Sequence, residues 1–237
     1  MKKIYLLFLI TPILFVGCSK DEDVSETIEQ IICNDSTINF DTIYLSPESI
    51  GFIPYNGKES IYFKNENGVE VKFEPLYPPK SHSFIKTEFE LICDSGDMNN
   101  YVFTREQYAV SHKCKDLNLQ YFLNVYSYNS SQYPEFVDKF SLLFHEPPLD
   151  NSIDTLIALD IITNFRGKES LLMKEFANYS NYEFVSEIKL LNKTFKEVYK
   201  VIEPKNNLLT ELYFNKEYGI VGFKDLALKL WVFDRIE

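Results

Sequence analysis

Apolar positions along this chain recur mostly with a period of two, the spacing of half-buried strands, and one stretch keeps a helical spacing instead. In 84–93, Ile85, Phe89, Leu91 and Cys93 share one face while Lys86, Glu88 and Glu90 share the other. A strand over 101–111 is expected to return antiparallel to it. Upstream, 60–65 and 69–74 read as a hairpin: Ile61 and Phe63 face one way, and Val69, Val71 and Phe73 line one face of the return. Asn67 and Gly68 between them supply the positive φ angles of a tight turn. Residues 117–128 alternate again, with Leu117, Leu119, Tyr121, Leu123 and Val125 on one side. A strand over 137–145 follows and ends at Pro147 and Pro148, because proline cannot donate to a ladder.

Residues 147–154 read as a linker. Beyond it, Leu172, Phe176 and Tyr179 fall at i, i+4 and i+7 and predict a helix over 168–179. Strands are then expected over 182–191, 195–202, 209–215, 218–224 and 230–235, with a turn at 192–194 and Trp231 buried in the last strand. The pattern predicts a mainly β fold: an antiparallel β-sandwich-like N-terminal part followed by an antiparallel meander with one short helix. The expected organisation is a signal peptide over 1–17, an acidic flexible tether over 18–39, an antiparallel β domain over 40–149, and a helix plus β-meander over 150–237. The last two segments are able to form one domain. Residues 61–69 also resemble 212–220, with Tyr, Phe, Glu and Gly recurring in register. Such a match fits an internal duplication, and it fits any two aromatic hairpins turned by glycine.

The N-terminus changes the picture. Lys2 and Lys3 precede an apolar run, Ile4 to Val16, broken by Thr11 and Pro12. Thirteen helical residues rise only about 20 Å, short of a hydrocarbon core of about 30 Å, so the run reads as a secretory signal and not a membrane span. It ends in Phe15-Val16-Gly17-Cys18, which resembles the lipobox of bacterial lipoproteins, a small residue before a cysteine that is acylated and becomes the mature N-terminus. The resemblance implies a palmitate-type anchor on Cys18, and acyl chains at about 0.8 kcal/mol per buried methylene hold a domain firmly. Ser19-Lys20-Asp21-Glu22-Asp23 resembles the export signal that sends Bacteroidota lipoproteins to the outer face of the outer membrane. Segments 53–59, 61–69 and 212–223, with Leu230 and Trp231, are similar to uncharacterised Bacteroidota surface lipoproteins. That resemblance implies an outer-membrane, lipid-anchored, cell-surface location and carries no activity.

Hydrophobic residues are 45% and aromatic residues 16% of the 237, which supplies a core and favours sheets. The formal net charge of -11 repels phosphate backbones, so no nucleic-acid partner is expected. Asp-Ser-Thr, Asp-Thr-Ile and Asp-Thr-Leu at 35–37, 41–43 and 154–156 resemble the Bacteroidota O-glycosylation motif and make Ser36, Thr42 and Thr155 candidate glycan sites. With Cys18 acylated, Cys33, Cys93 and Cys114 are left in a compartment that permits disulfides. Cys93 points inward, and the hairpin places it about 30 Å from Cys114, so the expected bridge is Cys33 with Cys114.

The chain has no G-x-S-x-G elbow, no H-E-x-x-H and no CxxC pair, and His82, His112 and His145 are scattered. Asp94-Ser95-Gly96-Asp97 reads as a turn and not a Ca²⁺ loop. No catalytic residue, metal or cofactor is expected. Tyr126, Tyr128 and Tyr133 around a polar stretch are the candidate glycan-contact aromatics. The expected function is a non-enzymatic surface protein, held to outer-membrane lipid through Cys18, that binds a protein or glycan or serves as an assembly component. The alternatives are a glycan-binding accessory lipoprotein of a nutrient-uptake system, a surface hydrolase with a dispersed site, and a pilus-type subunit with an open sheet edge.

Overall fold

A computed structural model describes residues 37–92, 98–129, 136–146, 157–166, 182–202 and 208–237, and all of them belong to one compact unit. The alternating segments form twelve strands among these residues. In chain order they are β1 (Thr37–Ile43), β2 (Ile61–Asn65), β3 (Glu70–Ile92), β4 (Met98–Cys114), β5 (Leu119–Asn129), β6 (Phe136–His145), β7 (Ile157–Arg166), β8 (Tyr182–Leu190), β9 (Lys193–Ile202), β10 (Leu209–Asn215), β11 (Gly219–Asp225) and β12 (Leu230–Ile236). One four-residue helix, α1 (Pro47–Ile50), follows β1. The expected helix over 168–179 and the expected linker over 147–154 lie outside the described residues.

The strands hydrogen-bond in the order β7-β6-β5-β4-β3-β2-β12-β11-β10-β9-β8, antiparallel throughout this path, with β1 added parallel to β4. The expected split into a sandwich-like part and a separate meander is therefore corrected: both belong to one large antiparallel sheet. Two features make it continuous. The final strand pairs with β2, Phe233 opposite Phe63. And β3 is one strand of 23 residues, where the sequence suggested two. Its first residues pair with β2 and the rest with β4. Between these stretches, the five steps from Pro75 to Lys80 face only the two from His112 to Val110. Prolines at 75, 78 and 79 have no N–H to give a ladder, so the strand bulges there and turns from one half of the sheet into the other.

Curling brings the halves face to face and nearly closes a barrel. Phe140 of β6 and Phe214 of β10, near opposite ends of the strand order, have ring centroids 4.7 Å apart. Phe144 meets Phe223 at 6.1 Å, and Phe73 meets Tyr121 at 5.3 Å. Ile61, Phe63, Leu119, Tyr121, Leu123 and Val125 are buried as their alternation predicts, and so is Trp231. Val69 is not: it is 52% exposed at the β2–β3 turn, although Val71 and Phe73 of the same face are buried. Strand β7 was not foreseen; Leu159 and Ile161 put its inner face in the core.

A buried carboxylate fixes α1 to the sheet. Ser46 caps the helix, Pro47 opens it, and Asp138 of β6 accepts from the Ser46 amide at 2.9 Å and from Ser49 Oγ at 2.9 Å. Ser127 Oγ donates to its other oxygen at 3.3 Å. Asp138 is fully buried, which its three donors make tolerable.

The two similar hairpin segments each turn on an asparagine and a glycine, three residues apart in one and four in the other. Asn65 Oδ1 accepts from the amides of Asn67 and Val69, and Asn215 Oδ1 accepts from Tyr218. Gly68 and Gly219 both sit at φ 75. Their surroundings differ. Nothing lies near the missing Cβ of Gly68, whereas a Cβ on Gly219 would collide with the Tyr55 hydroxyl. That hydroxyl donates to the Tyr218 carbonyl at 2.5 Å and accepts from the Ile220 amide at 3.2 Å, and burial pushes its pKa up. Gly68→Ala should therefore cost about 1 kcal/mol, for the backbone alone. Gly219→Ala should cost about 3 kcal/mol, because backbone strain and a core clash add. Urea unfolding of the two variants checks the ranking, and equal losses would refute it.

Candidate functional site

The β3–β4 hairpin outruns its neighbours. Pairing of β4 with β5 stops at Gln107, while pairing with β3 continues to Met98. One face of this arm is closed off: Phe40 of β1 stacks on Tyr101 at 5.7 Å, and Phe136 meets Phe103 edge-on at 4.9 Å. The opposite face, by strand parity, carries His82 and Phe84 from β3 and Tyr108 and Glu106 from β4.

On that face the rings form a platform. Phe84 is 51% exposed and Tyr44, just past β1, is 61% exposed. Their centroids are 6.1 Å apart and their planes meet at 78°. His82 leans on Phe84 at 5.2 Å and stacks flat on Tyr108 at 4.2 Å. Glu106, buried behind them, uses both oxygens: one accepts from His82 Nε2 at 2.8 Å, the other from the Leu45 amide at 2.7 Å. The carboxylate thus orients the imidazole and pins the backbone next to Tyr44. Burial, and the nearby Glu106 charge, push the Tyr108 hydroxyl up. Lys86 and Glu88, paired at 2.7 Å, continue the face along β3.

A second concavity lies where β9 leaves the sheet. Its pairing with β10 ends at Tyr199, and Glu197 sits in the left-handed region at φ 51. The rest of the β8–β9 hairpin lies back over the outer face: Leu190 against Gly222, and Lys193 donating to the Phe233 carbonyl at 2.9 Å. The cleft beside it, about 540 Å³, is lined by Lys64, Asn65, Leu191, Lys193, Phe233 and Asp234 among others. Its charges satisfy one another. Lys64 reaches Asp234 at 2.8 Å and Lys193 reaches it at 3.2 Å. The Lys64 ammonium is the main reason that the Asp234 carboxyl is held down at about 2. Such a balanced cleft leaves little charge for a ligand.

The other expected sites are dispersed. Tyr126 and Tyr128 lie together on β5, 6.5 Å apart, but a cation already covers each: Arg105 over Tyr126 and Lys139 over Tyr128. Burial works against the Lys139 ammonium, yet Tyr126 and its partner Asp160 at 2.8 Å outweigh it and raise its pKa. Tyr133 lies outside the described residues, as do Ser36, Thr155, Cys18, Cys93 and the Asp94–Asp97 turn. Thr42 is half-buried in β1, opposite Thr104. Cys114 is a free thiol, fully buried, with a pKa raised by burial. Its expected partner Cys33 is outside the described residues. The three histidines stay apart. His145 donates from Nδ1 to the Glu146 carbonyl, and His112 donates from Nε2 to the Glu59 carbonyl. Among the described residues no cluster of three metal-ligating side chains occurs.

The platform was missed in the sequence although its signals were there. Phe84 shares parity with Lys86, Glu88 and Glu90, so it is an aromatic on a polar face. Glu106 shares parity with Val110, His112 and Cys114, so it is a carboxylate on a core face. Comparison of the chain with known family models, curated proteins and solved structures finds no match.

His112 provides a test of the core beneath the arm. It is fully buried, stacked on Tyr121 at 5.1 Å, and burial lowers its pKa from 6.5 to about 4. Between those values the unfolded chain binds a proton that the folded one refuses, so stability falls as pH drops from 6.5 to 4. The loss from this residue should reach about 3 kcal/mol. In His112→Phe, less stable at neutral pH for want of the Glu59 bond, that segment of the pH–stability curve should flatten. A curve of unchanged slope would refute the assignment.

Proposed function

We propose that this chain is a lipid-anchored protein of the outer-membrane surface that works by binding and not by catalysis. The location rests on the leader, Gly17-Cys18 and the acidic stretch after it. Binding rests on one observation: two large aromatic rings, Tyr44 and Phe84, stand more than half exposed and in contact, their planes meeting at 78°. Exposed apolar rings held in fixed positions mark contact surfaces. The His82–Glu106 pair resembles the base and orienter of a hydrolase, but both Glu106 oxygens are spent on fixing His82 and the Leu45 backbone, which suits a scaffold for the rings. The nutrient-uptake and pilus alternatives remain distinct in what they bind; the platform favours the former, since a donor strand needs a sheet edge and not a ring pair.

Two measurements test this reading. Labelled palmitate fed to cells should enter the wild-type chain and not Cys18→Ser, and protease added to intact cells should degrade the anchored protein. An unlabelled wild-type chain sinks the anchor. The double variant Tyr44→Ser with Phe84→Ser should unfold within about 0.5 kcal/mol of wild type, as substitutions at a surface do. A large loss would make the rings structural and remove the case for a binding platform.

A further inference from the structure

The chemistry around Phe84 narrows what the platform can take. This inference rests on the binding reading above and names its ligand. Two rings are too few for a protein contact, whose stable forms bury about 800 Å² on each partner around a packed apolar centre. They match a ligand the size of one or two sugar rings. The C–H bonds on one face of a hexopyranose are weakly positive and sit well on the negative face of an aromatic ring. Rings meeting at 78°, as Tyr44 and Phe84 do, offer a floor and a wall to such a body.

The surroundings supply the polar half of the match. His82, exposed beside Phe84, has its Nε2 committed to Glu106. Lys86 and Glu88 follow Phe84 at i+2 and i+4 on the same face, and Thr104 stands opposite Lys86 across the ladder. Donors and acceptors two and four residues from the ring are placed to meet the hydroxyls around a sugar's edge. The platform is also stiff. The His82–Tyr108 stack and both Glu106 bonds set the ring positions before any ligand arrives, which limits the ordering cost of binding. Charge decides the rest. Glu88 and Glu90 share this face, and the whole chain carries -11, so a uronate, a phosphate or an anionic lipid surface is repelled.

We propose that the arm face centred on Phe84 and Tyr44 is a binding site for neutral saccharides, the rings stacking on the sugar while Lys86, Glu88 and Thr104 meet its hydroxyls. The test uses the full acylated chain in detergent, run through native gels cast with soluble neutral polymers (a glucan, a mannan, a galactan) or with a polyuronate. At least one neutral polymer should retard the wild-type protein and the polyuronate should not. Phe84→Ala and Tyr44→Ala should each weaken that retardation about tenfold or more, while Phe84→Tyr retains it and Tyr126→Ala leaves it unchanged. Melting curves of the variants confirm that they are folded. Retardation by the polyuronate alone, retardation by no polymer, or wild-type behaviour in Phe84→Ala overturns the proposal. If no polymer binds but a surface protein is captured in a Phe84-dependent way, the ligand class is wrong and the binding platform stands. If Phe84→Ala behaves as wild type in both assays, both readings fail.

Discussion

The pairing of β2 with β12 is the contact on which the rest of the architecture depends. It joins residues 170 apart in sequence, Lys64 to Asp234, and the ladder continues into the paired amides and carbonyls of Ser60 and Glu237. Without it the eleven-strand path falls into two open sheets, each with an apolar face to cover. With it, Phe63 becomes the hub of the core, its ring meeting Phe223 at 5.3 Å, Phe73 at 5.4 Å and Phe233 at 6.3 Å. The ion pairs along the seam, Lys64 with Asp234 and Arg235 with Glu70, are too exposed to hold it by themselves. Burial of aromatic surface does that. Closing so long a loop adds little entropy cost beyond a shorter one, because the cost grows with the logarithm of length, but it makes the search slow.

The second constraint is the bulge in β3. A strand of 23 residues laid flat would leave the barrel at a tangent and expose both faces. The three prolines turn it, so that its first part closes the seam with β2 and its second part builds the arm with β4. The arm exists because β5 stops early. Where β5 is missing, β1 takes its place beside β4 and runs parallel to it, Ile38 opposite Tyr101. The chain just past β1 then delivers Tyr44 to the edge of Phe84, and the next amide, Leu45, to Glu106. The site is thus assembled from the chain just past β1 and the middles of β3 and β4 by the same mismatch of lengths that shapes the fold.

How much of this was legible in the sequence follows from the range of the physics involved. Period-two alternation reports a local half-burial, and it located β2, β5, β6 and the five strands of the meander to within a residue or two. Asn65 with Gly68 and Asn215 with Gly219 are local turn chemistry, legible in the sequence. What alternation cannot report is which strand lies next to which. The β2–β12 seam, the parallel β1 and the continuity of β3 through its prolines are all non-local. Proline cannot donate to a ladder, yet in β3 an unpaired bulge lets the strand pass through three of them. At the site, the pattern along β5 points to Tyr126 and Tyr128. Sequence clustering brings them forward, but not the cations over one face of each, Arg105 and Lys139, which are distant in sequence. Phe84 and Glu106 were each the odd residue on their strand face, a local signal that goes unread when alternation is used only to find strands.

Odd residues of this kind carry the argument from fold to function. A carboxylate at a core position costs free energy unless donors meet it, and Glu106 has two donors, from His82 and from the Leu45 backbone. Asp138 shows the same solution at the other end of this segment, binding Ser46 and Ser49 of α1. The two acids thus clamp residues 45–49 from both sides, one behind the rings and one beneath the helix. Residues 45–49 carry no long strand of their own, yet Glu106, Asp138 and Thr163 all hold them to the sheet. Under the binding reading proposed above, that clamp would keep Tyr44 at a fixed angle to Phe84 while a ligand is exchanged.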